Sequence, residues 1–266
     1  MSIDKSKIIR KGSRIAGSGL VRFITEGLKT SERRGKRNKL YCGDASYCSR
    51  KSTLFATTEG TNELTAASLL YMDMGTAIHR VFQKGLERAG IMVEAERRVS
   101  LKYKEIELSG MIDGVLKIDD EYKILEMKTC GGLPSKPKKE HLHQALTYAL
   151  ITGIYKVIIF YQSRKVAGWD GKLECVEFEV EATPIQLDMV ADIIATSFVC
   201  TANGVIPPIP LHIAGQGDCG FCPFTSTCWG PTAKKFPKLS RKIEVQIEEA
   251  KKDLLRMSKK AHKEFS

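Results

Sequence analysis

Asp113, Glu126 and Lys128 are the residues whose types and spacing point most directly to chemistry. Glu126 and Lys128 stand two apart in Leu125-Glu126-Met127-Lys128, so on a strand they share a face. Asp113, in Gly110-Met111-Ile112-Asp113-Gly114, lies on the preceding strand across a short turn, which can bring its carboxylate close to that of Glu126. Two carboxylates held together repel unless something positive sits between them. Lys128 alone cannot neutralise both, whereas one divalent cation can. Hard oxygen ligands point to Mg²⁺ or Mn²⁺ rather than zinc. Such an ion acidifies a bound water and offsets the charge of a phosphodiester, and the Lys128 ammonium is then placed to steady the transition state. The residues before Glu126, Tyr122-Lys123-Ile124-Leu125, read as a buried strand, where charges need a purpose.

A second constellation is made of thiols. Cys219-Gly-Phe-Cys222-Pro-Phe-Thr-Ser-Thr-Cys228 has C-x₂-C-x₅-C spacing, tight enough for metal ligation. Three thiolates need a fourth, and Cys42 and Cys48 are the upstream candidates. Either one would staple the N-terminal segment to the C-terminal one. Four sulfurs suit zinc or an iron–sulfur cluster. Cys130, Cys175 and Cys200 have no partner spacing and read as ordinary thiols.

These groups need elements to hold them. Leu69, Leu70, Met74, Ile78, Val81, Phe82 and Leu86 recur at helical spacing within 64–89. Segments 95–105, 107–118 and 121–128 read as strands, with Asp119-Asp120 as the tight turn between the last two. A helix over 139–152, strands over 156–163 and 173–180, and a helix over 183–202 follow. This order describes an α/β core with a mixed sheet. The longest apolar run, Val157–Tyr161, has strand length and falls short of a bilayer span. In the last helix, Ile243, Ile247, Ala250, Leu254, Met257 and Ala261 form a heptad seam that either docks on its own domain or pairs with a second copy.

Three further features stand in order along these elements: His79 in Gly75-Thr76-Ala77-Ile78-His79, Glu96 on the first strand, and Gln144 one helical turn before Tyr148. The ordered set G-x-x-x-H, G-x-x-D-G, E-x-K and Q-x-x-x-Y closely resembles the RecB-type branch of the PD-(D/E)xK nuclease superfamily, over residues 68–150. Ile112 stands where the superfamily's name has Pro, a replacement this branch tolerates. The resemblance implies a restriction-endonuclease-like core with a mixed central sheet flanked by helices. It implies that His79, Asp113, Glu126 and the backbone carbonyl of Met127 bind the catalytic metal, and that Lys128 is the catalytic lysine. Gln144 and Tyr148 would contact DNA or brace the site. CRISPR-associated RecB-like nucleases and AddB-type nuclease domains place one cysteine before the core and a similar trio after it, around a 4Fe–4S cluster. By that likeness Cys48, in Tyr47-Cys48-Ser49-Arg50-Lys51, joins Cys219, Cys222 and Cys228.

The 266 residues carry 42 Lys plus Arg against 31 Asp plus Glu, a net charge of +11. Residues 1–40 hold a net +9 and 234–266 a net +6, while 41–233 hold −4. The expected organisation is a basic, partly flexible arm over 1–40, a nuclease domain with its cluster over 41–233, and a basic amphipathic helix over 234–266. Basic arms suit a polyanion partner, because Lys and Arg release counterions from phosphates. The opening residues are charged, so a cytoplasmic protein, in the host cytoplasm if viral, without membrane association is expected. Gly12-Ser-Arg-Ile-Ala-Gly17-Ser-Gly lacks the lysine of a P-loop, so any helicase would be a separate partner. The resulting reading is a metal-dependent DNA nuclease, an exonuclease on single strands or duplex ends, serving recombination, repair or replication. The rival reading is a non-catalytic DNA-binding subunit of a recombination or CRISPR adaptation complex.

Overall fold

Asp119 and Asp120 both adopt positive φ, 51° and 63°. That is the handedness of the two-residue turn that joins twisted antiparallel strands without splaying them. The turn sets the pairing of the long strands on either side, Ile106–Ile118 and Glu121–Cys130, from Ile118 opposite Glu121 to Gly114 opposite Leu125. This computed structural model describes residues 39–58, 66–164, 173–213, 215, 219, 222–230 and 237–265. The basic arm expected over 1–40 lies outside them, apart from Lys39 and Leu40, which join a strand.

The sheet has six strands: β1 (Lys39–Tyr41), β2 (Met92–Tyr103), β3 (Ile106–Ile118), β4 (Glu121–Cys130), β5 (Lys156–Ser163) and β6 (Cys175–Glu181). Their order is β1-β3-β4-β5-β6, with β2 also paired to β3. Pairing is antiparallel for β2–β3, β3–β4 and β5–β6 and parallel for β1–β3 and β4–β5, which makes the expected mixed sheet. β3 pairs with β1 through Glu107–Ser109 and with β4 only from Gly114 onward. β3 and β4 therefore part just before Asp113.

The helices are α1 (Cys42–Ala45), α2 (Ser49–Thr57), α3 (Ala66–Arg88), α4 (Lys139–Thr152), α5 (Pro184–Ala202), α6 (Thr225–Trp229) and α7 (Arg241–His262). Phe82 and Leu86 of α3 cover one face of the sheet, against Leu116, Leu125, Met127 and Ile158. On the other face α4, α5 and α7 enclose the larger core, where Ile124, Val157, Ile159 and Tyr161 meet Leu146, Ile194 and Phe198. Only part of α3's apolar periodicity is buried. Leu70, Met74 and Val81 are exposed, because the helix is wider in apolar residues than the strip of sheet beneath it.

Two helices bear on the membrane and self-pairing expectations. α5 is long and apolar enough by length and composition to cross a bilayer, although no unbroken apolar run signals it; it is instead a core helix, with Val190, Ala191, Ile194 and Phe198 buried. The seam of α7 is used within the chain. Ile243, Ile247, Ala250 and Leu254 are buried in the protein's own core, the two Ile and the Leu each contributing about 1.5–3 kcal/mol, so pairing of two copies through this seam would expose that core.

Candidate active site

Continuing the hairpin ladder by one rung beyond Gly114–Leu125 would place Asp113 opposite Glu126. The strands separate there, and the Asp113 side chain fills the opening: its Oδ2 accepts the backbone N–H of Met127 at 2.6 Å. The turn thus aligns the two acids, and the split gives one of them a backbone anchor. Lys128 follows on the same face of β4 as Glu126, and its ammonium is in ion-pair contact with Glu126 Oε1.

Glu126 is only 1 % exposed, and neither carboxylate oxygen has a hydrogen bond in proper geometry among the described residues. The Lys128 contact is one of charge proximity rather than a well-aligned hydrogen bond, and it leaves Oε2 without a counterpart. Burial pushes the Glu126 carboxyl up to about 7; the charge of Asp113 adds to the rise, while Lys128 and His79 oppose it. Burial alone would lower Lys128, but the negative charges of Glu126 and Asp113 outweigh it and hold the ammonium above its ordinary value. A buried acid with an orphaned oxygen beside a second acid is a site with unmet demand for positive charge.

Helix α3 reaches this point because Gly75 lets it settle on β4. A Cβ at Gly75 would stand 3.3 Å from Thr129 Oγ1. One turn on, His79 Nδ1 lies 3.3 Å from Asp113 Oδ1, and another turn on, Gln83 Nε2 donates to the Asp113 backbone carbonyl at 2.8 Å. Asp113 is held from both ends. Gln83 was not legible as a site residue, although its spacing of four from His79 is the signal that could have found it. Glu96 has φ of 52° on β2 and is exposed, and no contact with the acids is seen among the described residues.

Helix α4 braces the other side. Gln144 Nε2 donates to the Tyr148 hydroxyl at 3.0 Å, and that hydroxyl donates to the Met111 carbonyl at 2.9 Å. Tyr148 is buried, and its hydrogen bond ties α4 to β3. It lies against Gly110, where a Cβ would come within 2.8 Å of the ring and 2.7 Å of Cys42 Sγ. The same helix carries a contact absent from the sequence reading. His141 Nδ1 is 2.9 Å from the hydroxyl of Tyr161, which also accepts the Lys138 backbone N–H at 3.0 Å. Tyr161 is the β5 neighbour of Lys128. Burial, together with the Lys128 and Lys138 charges, pushes the imidazole of His141 down to about 3, leaving it neutral.

The thiols separate into two places. Cys48, Cys219, Cys222 and Cys228 line one small cavity with Ile209, Ile213 and Trp229. Burial pushes the Cys48 thiol up to about 12, with smaller contributions from the other three thiols, and burial likewise raises Cys222. Cys42 is elsewhere, beneath Gly110, where burial and then the charge of Glu126 raise it to about 12. Of the two upstream candidates, Cys48 stands with the trio. Among the described residues, no three His, Cys, Asp or Glu side chains stand ready-made in metal-ion geometry, at the thiols or at the acids.

No protein-family model matches the chain, and no curated protein matches it. Among solved structures, the chain is similar to SSO0001, with 15 % identity over 80 % of this chain and 97 % of that one and a TM-score of 0.49. It is also similar to an alkaline exonuclease (LHK-Exo) from Laribacter hongkongensis, at 14 % identity over 64 % of this chain and 90 % of that one, with a TM-score of 0.45. The same exonuclease in complex with dAMP gives 15 % identity over 63 % and 89 %, with a TM-score of 0.41. At these identities and TM-scores, the functional reading rests on the side chains instead.

Proposed function

We propose that the protein is a divalent-metal-dependent deoxyribonuclease of the RecB-type PD-(D/E)xK kind, acting as an exonuclease on single strands or duplex ends. The observation that carries the proposal is the buried Glu126, its Oε2 unpartnered, beside Asp113 and the protonated Lys128. The donor set fits Mg²⁺ or Mn²⁺, held by Glu126, Asp113, His79 and the Met127 carbonyl. Such an ion would acidify water and offset phosphate charge.

The chain's own groups do the rest. Lys128, held protonated by its two acidic neighbours, has no free pair with which to act as a base. It donates hydrogen bonds and positive charge to the phosphate oxygen that gains charge during attack. Asp113 keeps its orientation through Met127 N–H and Gln83, and Tyr148 fixes the strand beneath it through Met111. These contacts hold the acids in place before substrate arrives.

The proposal extends to a structural 4Fe–4S cluster on Cys48, Cys219, Cys222 and Cys228, supported by four thiols around one cavity and by the family likeness. Such a cluster would staple α2 to α6. Cytoplasmic work in recombination, repair or replication, with a separate helicase, completes the reading.

Incubating the purified protein with 5′- and 3′-labelled single-stranded DNA and Mn²⁺ tests activity and polarity together. The wild type degrades the strand, and Lys128→Ala loses roughly 10²–10³ in kcat, the size of one removed electrostatic stabiliser. A wild type that binds DNA without any metal-dependent cleavage would instead identify a non-catalytic subunit. Brown protein that absorbs near ~400 nm and bleaches on Cys222→Ser tests the cluster; colourless protein with stoichiometric zinc refutes it.

A further inference from the structure

A cavity of about 710 Å³ lies between the Pro134–Lys138 segment, the start of α4 and the wall formed by Cys48, Cys219 and Cys222. Among the described residues, four lysines line it, Lys51, Lys136, Lys138 and Lys139, against one acid, Glu140. Lys51 is committed to Asp44 at 2.7 Å. Lys136, Lys138 and Lys139 are exposed and have no carboxylate partner among the described residues. Three unneutralised ammoniums on one short stretch repel one another, so the arrangement costs free energy unless an anion occupies it. The stretch is also shaped in advance: Pro134 and Pro137 fix their own φ, and Pro137 confines Lys136 to an extended backbone.

One buried side chain, Tyr161, separates the cavity from the acidic site. The backbone N–H of Lys138 donates to the Tyr161 hydroxyl, and Tyr161 is the ladder neighbour of Lys128. A strand bound along Lys136, Lys138 and Lys139 would thus lie one side chain away from the β-strand that carries Lys128. The volume falls within the roughly 300–1,000 Å³ of clefts that enclose one ligand, which suits a few nucleotides of one strand. A positively charged groove of this size can track the backbone of one strand.

From this we propose that the cavity binds the sugar–phosphate backbone of an unpaired DNA strand and delivers it to Lys128. This deepens the nuclease reading and rests on it for the direction of delivery, though binding itself can be measured without cleavage. The test is fluorescence anisotropy of labelled single-stranded and duplex DNA on the full chain, with EDTA to prevent hydrolysis, across a series of salt concentrations. Each lost phosphate contact lowers the salt slope by about 0.7 on single strands. Lys136→Glu/Lys138→Glu/Lys139→Glu should thus lower it by about 2 and weaken single-strand binding at least tenfold. Lys136→Ala/Lys139→Ala should lower it by about 1.4 without reversing charge, which covers the case of a triple variant that does not fold. Lys117→Glu, exposed near the turn of the β3–β4 hairpin at the opposite end of β4, should leave both quantities unchanged.

Single-strand affinity unaffected by either cavity variant overturns the site and leaves the nuclease reading standing. Equal loss for duplex and single strand overturns the preference for an unpaired strand. Displacement of the strand by inorganic phosphate at strand-like concentrations overturns it in favour of a simple phosphate site. Lysine-dependent binding in a protein that never cleaves sustains this site and removes the nuclease reading.

Discussion

Cation binding at Glu126 should be a measurable competition with protons. Its carboxyl is pushed from an ordinary 4.5 up to about 7, chiefly by burial. At pH 6 about one-tenth of such a group is ionised and at pH 8 about nine-tenths, so the apparent affinity for Mn²⁺ should rise about tenfold between them. At saturating ion that difference is about 1.4 kcal/mol of added stability, or about 3–6 °C in Tm for a domain of this size. The metal-free protein should show the opposite slope. A carboxyl raised in the folded state contributes stability that is present below about 4.5 and lost as pH rises through about 7. Thermal melts at pH 6, 7 and 8, in EDTA and in Mn²⁺, separate the two effects. Glu126→Gln should flatten both. A Mn²⁺ shift that does not vary with pH, or one that survives Glu126→Gln, would refute the reasoning that this buried acid is a metal ligand.

Other perturbations follow from close contacts. Gly110→Ala forces a methyl into Cys42 Sγ and the Tyr148 ring, and should cost about 1–3 kcal/mol in urea denaturation while reducing cleavage by displacing the brace on Met111. Adding Cys42→Ala should recover part of that stability, and no recovery would place the strain elsewhere. Tyr161→Phe removes the acceptor of Lys138 N–H and the partner of His141, and should cost about 1 kcal/mol and raise KM for DNA more than it lowers kcat. Ile247→Asp buries an unpaired carboxylate on α7 and should lower Tm by at least ~10 °C, consistent with several kcal/mol; an unchanged melting curve would mean α7 is not docked.

The sequence carried the acidic site because its determinants are local. A two-residue turn at Asp119-Asp120 fixes which residues oppose one another, and the two-residue period of β4 fixes the face of Lys128. Helix spacing likewise placed His79, Gln144 and Tyr148. The parting of β3 and β4 beyond Gly114 was not legible, since it depends on β1, which arrives from 68 residues upstream to share that edge of β3. Tyr161 escaped notice for the same reason: its place beside Lys128 comes from the parallel β4–β5 register, which no turn dictates. The seam of α7 reads identically whether it docks in cis or pairs with another copy. The buried face of α5 decides between them, and that face is a tertiary fact. The exposed apolar residues of α3 show the converse, a periodic stripe wider than the surface that receives it.

The union of Cys48 with Cys219, Cys222 and Cys228 also sets a timetable for the growing chain. Cys48 leaves the ribosome 171 residues before Cys219, a delay of roughly 9–35 s at ~5–20 residues per second. Arg50 waits nearly as long, 157 residues, for the Pro207 carbonyl that receives its guanidinium, and Leu54 waits for Ile209 and Ile213. Throughout that interval the segment from Cys48 to Leu54 has a thiol, a cation and apolar side chains without their native neighbours. It therefore completes its packing only after the chain has been made past Cys219.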